Sequence, residues 1–320
     1  MNRDKKIYIA GHNGMVGAAM KRKLAEAGYK NLIFRSRQEL DLSIQSDVEN
    51  FFIENKPEVV IIAAAKVGGI QANNIYRAEF LYNNLMIETN LIEASKKFGV
   101  EKLIFLGSSC IYPKHSPQPI KEEYVLSGLL EPTNEPYSIA KITGIKLCEN
   151  YYRQYGSNFF SLMPTNLYGP NDYFNLERSH VIPALMRKMQ EAKMNSVNEV
   201  VLWGTGKATR EFLYVEDLAD AVLFAMENLN ALDIYNLGIS QLNIGTGIEV
   251  SINELAETIK KVISYTGELV YDTTKPDGMP RRLLDVSRIH SLGWRHKTTL
   301  EQGLLLTYKW FGENYQHLRI

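Results

Sequence analysis

The 320-residue sequence is poor in cysteine, holding only Cys110 and Cys148, and it carries no net charge, with Lys+Arg and Asp+Glu each numbering 36. Two cysteines make no disulfide framework, so a reducing compartment, the cytoplasm, is expected. Balanced charge gives no bulk reason to bind nucleic acid or an anionic membrane, and neither is expected as a partner. No apolar run reaches the roughly 18 residues of a membrane span. The opening MNRDKKIYIAGHNG passes from a charged leader into a short apolar strand, so no signal peptide is expected. Repeats and low-complexity tracts are missing, which excludes solenoids and disordered tethers. No metal is expected. What remains is an ordinary globular composition, 45% hydrophobic and 22% charged. It is long enough for one large domain or two cooperating units.

The first half alternates strand-like and helix-like segments. Strands are expected at Lys6–Ala10, Asn31–Phe34, Val59–Ala63, Lys102–Gly107 and Ser157–Met163. Helices are expected at Met15–Ala27, Ser46–Asn55, Ala78–Phe98 and Tyr137–Tyr155. Continuous apolar strands separated by helices predict a parallel sheet covered on both faces. The second half is less regular. Tyr168–Arg210 is expected to hold one helix, Val181–Lys193, between loops. Val215–Asn228 reads as a helix returning to the sheet, and Leu242–Gly245 as one more strand. The tail, Ser251–Ile320, offers two or three amphipathic helices and a Pro/Gly-rich link, Lys275–Arg281. The expected fold is α/β: a Rossmann-type doubly wound parallel sheet with a smaller, interleaved α/β C-terminal substrate domain. The sheet domain is expected at 1–170 plus about 211–245, and the substrate domain at about 171–210 plus 246–320.

Gly11, Asn13, Gly14, Met15, Val16 and Gly17 form the loop GHNGMVG between the first strand and its helix. Glycines there permit a tight turn and let backbone N–H groups approach a pyrophosphate at the helix N-terminus. The spacing is a variant of the dinucleotide-binding fingerprint. An NAD site usually places an acid at the end of the second strand, on the ribose 2′-hydroxyl. Here that place reads FRSRQELDL, with Arg35 and Arg37 and no immediate acid. A guanidinium suits a 2′-phosphate, which favours NADP(H) over NAD. Solvated surface arginines are the alternative. Asp41 and Leu42 would then lie beneath the adenine.

Tyr137 and Lys141 stand at i and i+4 in YSIAK, on one face of a helix. An ammonium beside a phenol favours the phenolate, so the tyrosine is expected to exchange a proton near neutral pH. Ser108 ends the fourth strand and could hydrogen-bond a reacting oxygen. From the residues alone, Cys110 reads as a small buried hydrophobe, His180 as a surface residue starting a helix, and Cys148 as core.

With these motifs in place, the chain resembles the extended short-chain dehydrogenase/reductases. Within them it is similar to the GDP-L-fucose synthase family of 3,5-epimerase/4-reductases. The matching stretches include AGHNGMVG, RSRQELDL, AAAKVGGI, FLGSSCIYP, EPYSIAKITG, MPTNLYGPND, SHVIPALMRK, WGTGKATREFLYVEDLADA and PDGMPRRLLDVSRI. The resemblance implies proton exchange at C3 and C5 of a GDP-linked 4-keto sugar, then hydride delivery from NADPH to C4. It implies Cys110 as base, His180 as acid, and Ser108, Tyr137 and Lys141 for the reduction. It places Lys66, Lys141, Pro164, Asn166, Leu167 and His180 around the cofactor. It places Lys188, Trp203, Arg210, Asp277 and Arg282 on the substrate. Trp203 offers a flat apolar face, with plain hydrophobic packing as its alternative. This sequence departs from the family at Asn13 and Arg282, where Arg and Lys are common, and at Lys188, where Arg is.

A nucleotide-sugar 4,6-dehydratase needs acids just after the active-site serine, where this chain has Ser109-Cys110-Ile111. A simple 4-epimerase needs no Cys/His pair. A GDP-4-keto heptose as substrate stays open, because no motif reports the group on C6. A non-catalytic NADP-binding scaffold is the alternative of a different class. Long helices with apolar residues on more than one face imply, by resemblance, a homodimer.

Overall fold

The computed structural model describes residues 1–176, 179–275 and 277–318. Glu177 and Arg178 of the expected loop, Pro276 of the expected link, and Arg319 and Ile320 of the tail lie outside the described residues.

The first half contains β1 (Ile7–Ala10), α1 (Met15–Glu26), β2 (Leu32–Ile33), α2 (Gln45–Asn55), β3 (Val59–Ile62), α3 (Ile70–Ile75), α4 (Arg77–Lys97), β4 (Lys102–Leu106), α5 (Glu135–Tyr155) and β5 (Phe159–Pro164). The second contains β6 (Asn166–Tyr168), α6 (Val181–Met194), β7 (Glu199–Trp203), β8 (Thr209–Tyr214), α7 (Val215–Asn228), α8 (Ala231–Tyr235), β9 (Leu242–Ile244), β10 (Glu249–Ser251), α9 (Ile252–Ile263), β11 (Glu268–Asp272), β12 (Arg281–Arg282), α10 (Ser287–Ser291) and α11 (Leu300–Glu313).

Among the described residues the large sheet runs β2-β1-β3-β4-β5-β9, with every pairing parallel. Strands β1, β3, β4 and β5 are buried along their whole length, as a sheet covered on both faces requires. Ile7 pairs with Leu32 on one side and Val59 on the other, so the strand order reverses at β1. A crevice forms at the carboxyl ends of strands where the order reverses, and the glycine loop stands there.

A second hydrophobic core gathers Tyr168, Phe174, Met186, Leu202, Phe212, Leu255, Leu304 and Phe311. It sits on β10-β8-β12, with β6 added to β8, and on the parallel pair β7-β11. None of these strands was expected from the sequence. The Tyr168–Arg210 stretch holds β7 and the start of β8 as well as α6. The cause is visible in β7, where Val200 and Leu202 are buried while Val201 and Trp203 are exposed. A short strand with one wet face has no continuous apolar run to announce it. Leu284, Val286, Ile289 and Trp294 fall in the range expected for the smaller unit, yet pack into the larger core.

Glu211 joins the two units. It is fully buried on β8, and its carboxylate accepts N–H bonds from Thr246 (2.6 Å), Gly247 (2.8 Å) and Leu284 (2.9 Å). Its main-chain carbonyl accepts from the Asn166 side chain at 2.9 Å. Burial raises its carboxyl pKa, opposed by those amide donors. Gly245 leaves the space: a Cβ there would stand 2.2 Å from Oε1. Glu211→Ala strips the acceptor from these backbone donors, at about 1–3 kcal/mol for each group left unsatisfied. The expected outcome is a loss of about 3 kcal/mol or more in urea unfolding. A midpoint unchanged from the parent would remove Glu211 from this role.

Candidate active site

The dinucleotide cradle is set by close backbone approach. Gly11 has φ +88°, and a Cβ there would stand 2.7 Å from the Ala64 backbone. A Cβ on Gly17 would stand 2.2 Å from the Gly11 carbonyl oxygen. Helix α1 begins after Gly14 with no side-chain cap and no acid in its first turn. The leading N–H groups, around Met15 and Val16, are therefore left for an anion, and the helix dipole favours one. The loop fits a pyrophosphate. Asn13 is exposed at its tip.

The two arginines after β2 do different things. Arg35 donates to the Phe34 carbonyl at 2.8 Å and to Asn55 Oδ1 at 3.0 Å, and lies over the Phe51 ring. The Arg37 side chain is 83% exposed, held only by a 4.0 Å approach to Asp41. Of the two, Arg37 is the one whose guanidinium is left exposed. Glu39 does not take the place of a ribose-binding acid, because its carboxylate turns back onto the Ser36 N–H at 2.7 Å. Asp41 accepts from the Ser43 N–H and hydroxyl, and Leu42 gives its carbonyl to Asn90. His12, unremarked in the sequence, tilts against Phe34 with centroids 5.2 Å apart. Burial lowers its imidazole pKa, and Lys21 adds to the effect.

After β3, the backbone of Lys66 is clamped by Asn84, which accepts from its N–H at 2.7 Å and donates to its carbonyl at 3.0 Å. The Lys66 ammonium pairs with Glu79. Pro164 ends β5, and Asn166 and Leu167 begin β6, on the same strand-end side of the sheet.

The residues expected to be catalytic lie beyond β4 and on α5. Ser108 is extended and starts a short turn carrying buried Cys110. Ser138, the second residue of YSIAK, donates to the Cys110 carbonyl at 3.0 Å and so fixes the thiol segment against α5. Tyr137 is half-buried and Lys141 is 2% exposed. The Lys141 ammonium donates to the Leu106 carbonyl at 3.1 Å, lies 2.8 Å from Glu88 Oε1, and sits 5.8 Å from the Tyr137 ring centre. The expected lowering of the Tyr137 pKa is not what this arrangement produces. Burial pushes the phenol well above its ordinary value, and Cys110 and then Glu88 add to the rise. Lys141 is already engaged by Glu88, a residue that no sequence motif singled out.

The outer cleft belongs to the second core. His180 stands at the N-cap position of α6, makes no side-chain capping bond, and is exposed. Desolvation lowers its pKa. Lys188 and Lys275 approach the Trp203 ring at 5.9 and 5.7 Å, and Trp203 itself is 65% exposed, so it is no packing residue. Arg210 donates to the Thr209 carbonyl, and burial lowers its pKa, with Arg282 contributing. Asp277 accepts from the Thr205 N–H at 2.6 Å and hydroxyl at 2.8 Å, latching its loop over Gly204. Arg282 is buried, with Nε and Nη2 lacking partners among the described residues. Burial lowers its pKa, opposed by Cys110 and Glu131. It stands beside the Cys110 thiol as well as beside Arg210. A cleft of about 330 Å³ between α6 and β7 is lined by Lys188, Glu191, Asn195, Glu199 and Val201.

Residues 7–238 match the profile of the NAD dependent epimerase/dehydratase family. The chain is 55% identical to GDP-L-fucose synthase 1 of Arabidopsis thaliana over 98% of this chain and 95% of that one. It is 52% identical to the GDP-L-fucose synthase of Escherichia coli (strain K12), over 98% and 99%. A solved structure of a GDP-D-glycero-L-gluco-heptose synthase from Campylobacter jejuni in the presence of NADPH aligns with a TM-score of 0.92. It is 40% identical and covers 98% of this chain and 99% of that one.

The arginines separate in a binding experiment. A hydrogen bond to a charged group contributes about 1.5–3 kcal/mol. Arg37→Ala is therefore expected to weaken NADPH about tenfold or more in a fluorescence titration while leaving NADH nearly unchanged. Arg35→Ala, which removes a structural contact, is expected to affect both nucleotides alike. NADPH and NADH losing equally in Arg37→Ala would refute the assignment.

Proposed function

The chain belongs to the NAD dependent epimerase/dehydratase family, and from that premise we propose that it makes GDP-L-fucose from GDP-4-keto-6-deoxy-D-mannose. The reaction is 3,5-epimerisation followed by NADPH-dependent reduction at C4. The observation that carries this reading is the identity of 52–55% to GDP-L-fucose synthases over nearly the whole chain. The Campylobacter heptose synthase is 40% identical, which ranks a GDP-4-keto heptose behind the 6-deoxyhexose.

Cys110, as thiolate, accepts the proton from the carbon beside the C4 ketone. The electron pair moves into the carbonyl, and the enolate oxygen faces the hydroxyls of Ser108 and Tyr137. His180, in its acid form, returns a proton on the opposite face. The cycle repeats at the other carbon, with solvent resetting both groups. NADPH, when bound, supplies the hydride that reduces C4. Tyr137 gives its phenolic proton to O4 as that oxygen becomes a hydroxyl, and solvent restores it. The loop from Gly11 to Gly17 and Arg37 would hold the pyrophosphate and 2′-phosphate, and Lys141 has an N–H left for the nicotinamide ribose. Arg210 and Lys188 face a diphosphate, and Trp203 gives its ring to base or sugar. Glu199 in the α6–β7 cleft supplies acceptors suited to the N–H groups of guanine.

Cys110 must stay reduced to serve as a base, and both cysteines are free. This supports a cytosolic location. No helix among the described residues is long and apolar enough to cross a membrane. The dimer is proposed through α4 and α5, which pack together and expose Tyr82, Ile139 and Tyr155.

Cys110→Ser is expected to abolish exchange of substrate C–H protons with deuterated water, read by NMR. Tyr137→Phe is expected to stop reduction and leave exchange largely intact. Equal loss of both activities in both variants would sink the division of labour. Light scattering at micromolar concentration is expected to give twice the chain mass, and a monomer mass rejects the dimer.

A further inference from the structure

Arg282 ends β12 and is buried. Its Nε and Nη2 have no hydrogen-bond partner, and no ion pair holds it, among the described residues. A buried carboxyl or amine can escape an unfavourable charge by gaining or losing a proton. A guanidinium has no such route, because it stays protonated in proteins. An unpaired cation away from water is unfavourable, so this one calls for an anion.

The backbone fixes where Arg282 stands. It pairs with Arg210 in the register of β12 on β8. The residues after it are bound to the chain that leads away from Cys110. The Leu283 N–H donates to Gln118 Oε1 at 2.9 Å, and its carbonyl accepts from the Ile120 N–H at 2.7 Å. The Asp285 N–H donates to the Ile120 carbonyl at 2.8 Å. This stitching brings Arg282 beside the Cys110 thiol.

The nearby carboxylates are taken. Glu131, which acts on Arg282 less than Cys110 does, is paired with Lys114 at 2.8 Å. Asp277 is latched to Thr205, and Glu211 to backbone amides. Arg210 on the other side is a like charge. The Cys110 thiol is left as the group that can become the anion.

The chemistry asks for the same pairing. The reaction proposed above uses Cys110 as a thiolate base, and the inference rests on that reading. An ordinary thiol is mostly protonated at neutral pH, and becomes a useful base beside a cation. The turn carrying Cys110 has only three residues, Ser109–Ile111, too few to offer a helix dipole. Two titratable groups face Cys110, Tyr137 from α5 and Arg282 from β12. Tyr137 carries no positive charge, and the Lys141 ammonium behind it is paired with Glu88. We propose that Arg282 is a positioning residue that acts through Cys110, supplying the positive charge that holds the thiol as a thiolate.

Arg282→Gln removes the charge and keeps a polar side chain. Thiolate absorbance against pH, with the Cys110→Ser curve subtracted, is expected to step up about one pH unit or more later than in the parent. The acid limb of substrate C–H exchange with deuterated water should move up with it. Arg282→Lys keeps the charge and should keep both near their parent positions, even if KM changes. A thiolate step unmoved in Arg282→Gln, or moved equally in both variants, overturns the proposal. An effect of Arg282→Gln confined to KM also overturns it, and puts Arg282 on the substrate diphosphate instead. If that variant does not fold, the parent enzyme still decides. A Cys110 thiolate that forms only above roughly pH 8.5, where free cysteine titrates, overturns the proposal. The absorbance titration needs no sugar, so it stands apart from the reaction itself. Undiminished exchange in Cys110→Ser would refute that reading instead.

Discussion

A lysine ammonium sealed in a protein interior must be met by opposite charge, because desolvation of an unpaired ion costs several kcal/mol. At 2% exposure, Lys141 is in that position. Glu88 and the Leu106 carbonyl meet it, and this ties α4, α5 and β4 at one point. The rest of the chemical site hangs from that point. Tyr137 is one turn back along α5, so its ring is placed once Lys141 is. Ser138, beside it, holds the Cys110 carbonyl. Ser108 and Cys110 come off the end of β4, whose Phe105 packs against the same ammonium.

The other half of the cleft is built on a separate hydrophobic core, and Glu211 joins the halves. Its buried carboxylate takes amides from the loop after β9 and from the segment after β12. Arg210 and Arg282 flank it in sequence or in space, paired across β8 and β12. The residues proposed for proton and hydride chemistry thereby lie mostly on one core, and those proposed for the nucleotide mostly on the other. Arg282 stands where they meet, near both the thiol and Arg210.

Much of the first core was legible in the residues. Strands such as Val59–Ile62 are apolar throughout, and the glycine loop follows the first of them at once. The second core was not. Its strands are short, and β7 and β11 form a pair with one wet face, so alternation rather than a run carries the signal. Arg35 and Arg37 read alike in RSRQELDL, yet Asn55 and the Phe34 carbonyl engage only Arg35. Arg282 read as a substrate residue, and nothing in its neighbours in sequence placed it beside Cys110.

The sequence by itself determined the local devices: a dinucleotide loop whose glycines remove clashing Cβ atoms, a Tyr–Lys pair one helical turn apart, and buried strands long enough to form a parallel sheet. Those depend on spacing of a few residues, which a sequence displays. The tertiary structure alone decided what surrounds the pair. Whether an ammonium lowers the pKa of a neighbouring phenol depends on what else faces it. Here that is burial, Cys110 and Glu88, and these come from elements distant in sequence. Electric fields in a protein interior act through space, and space is what the fold supplies.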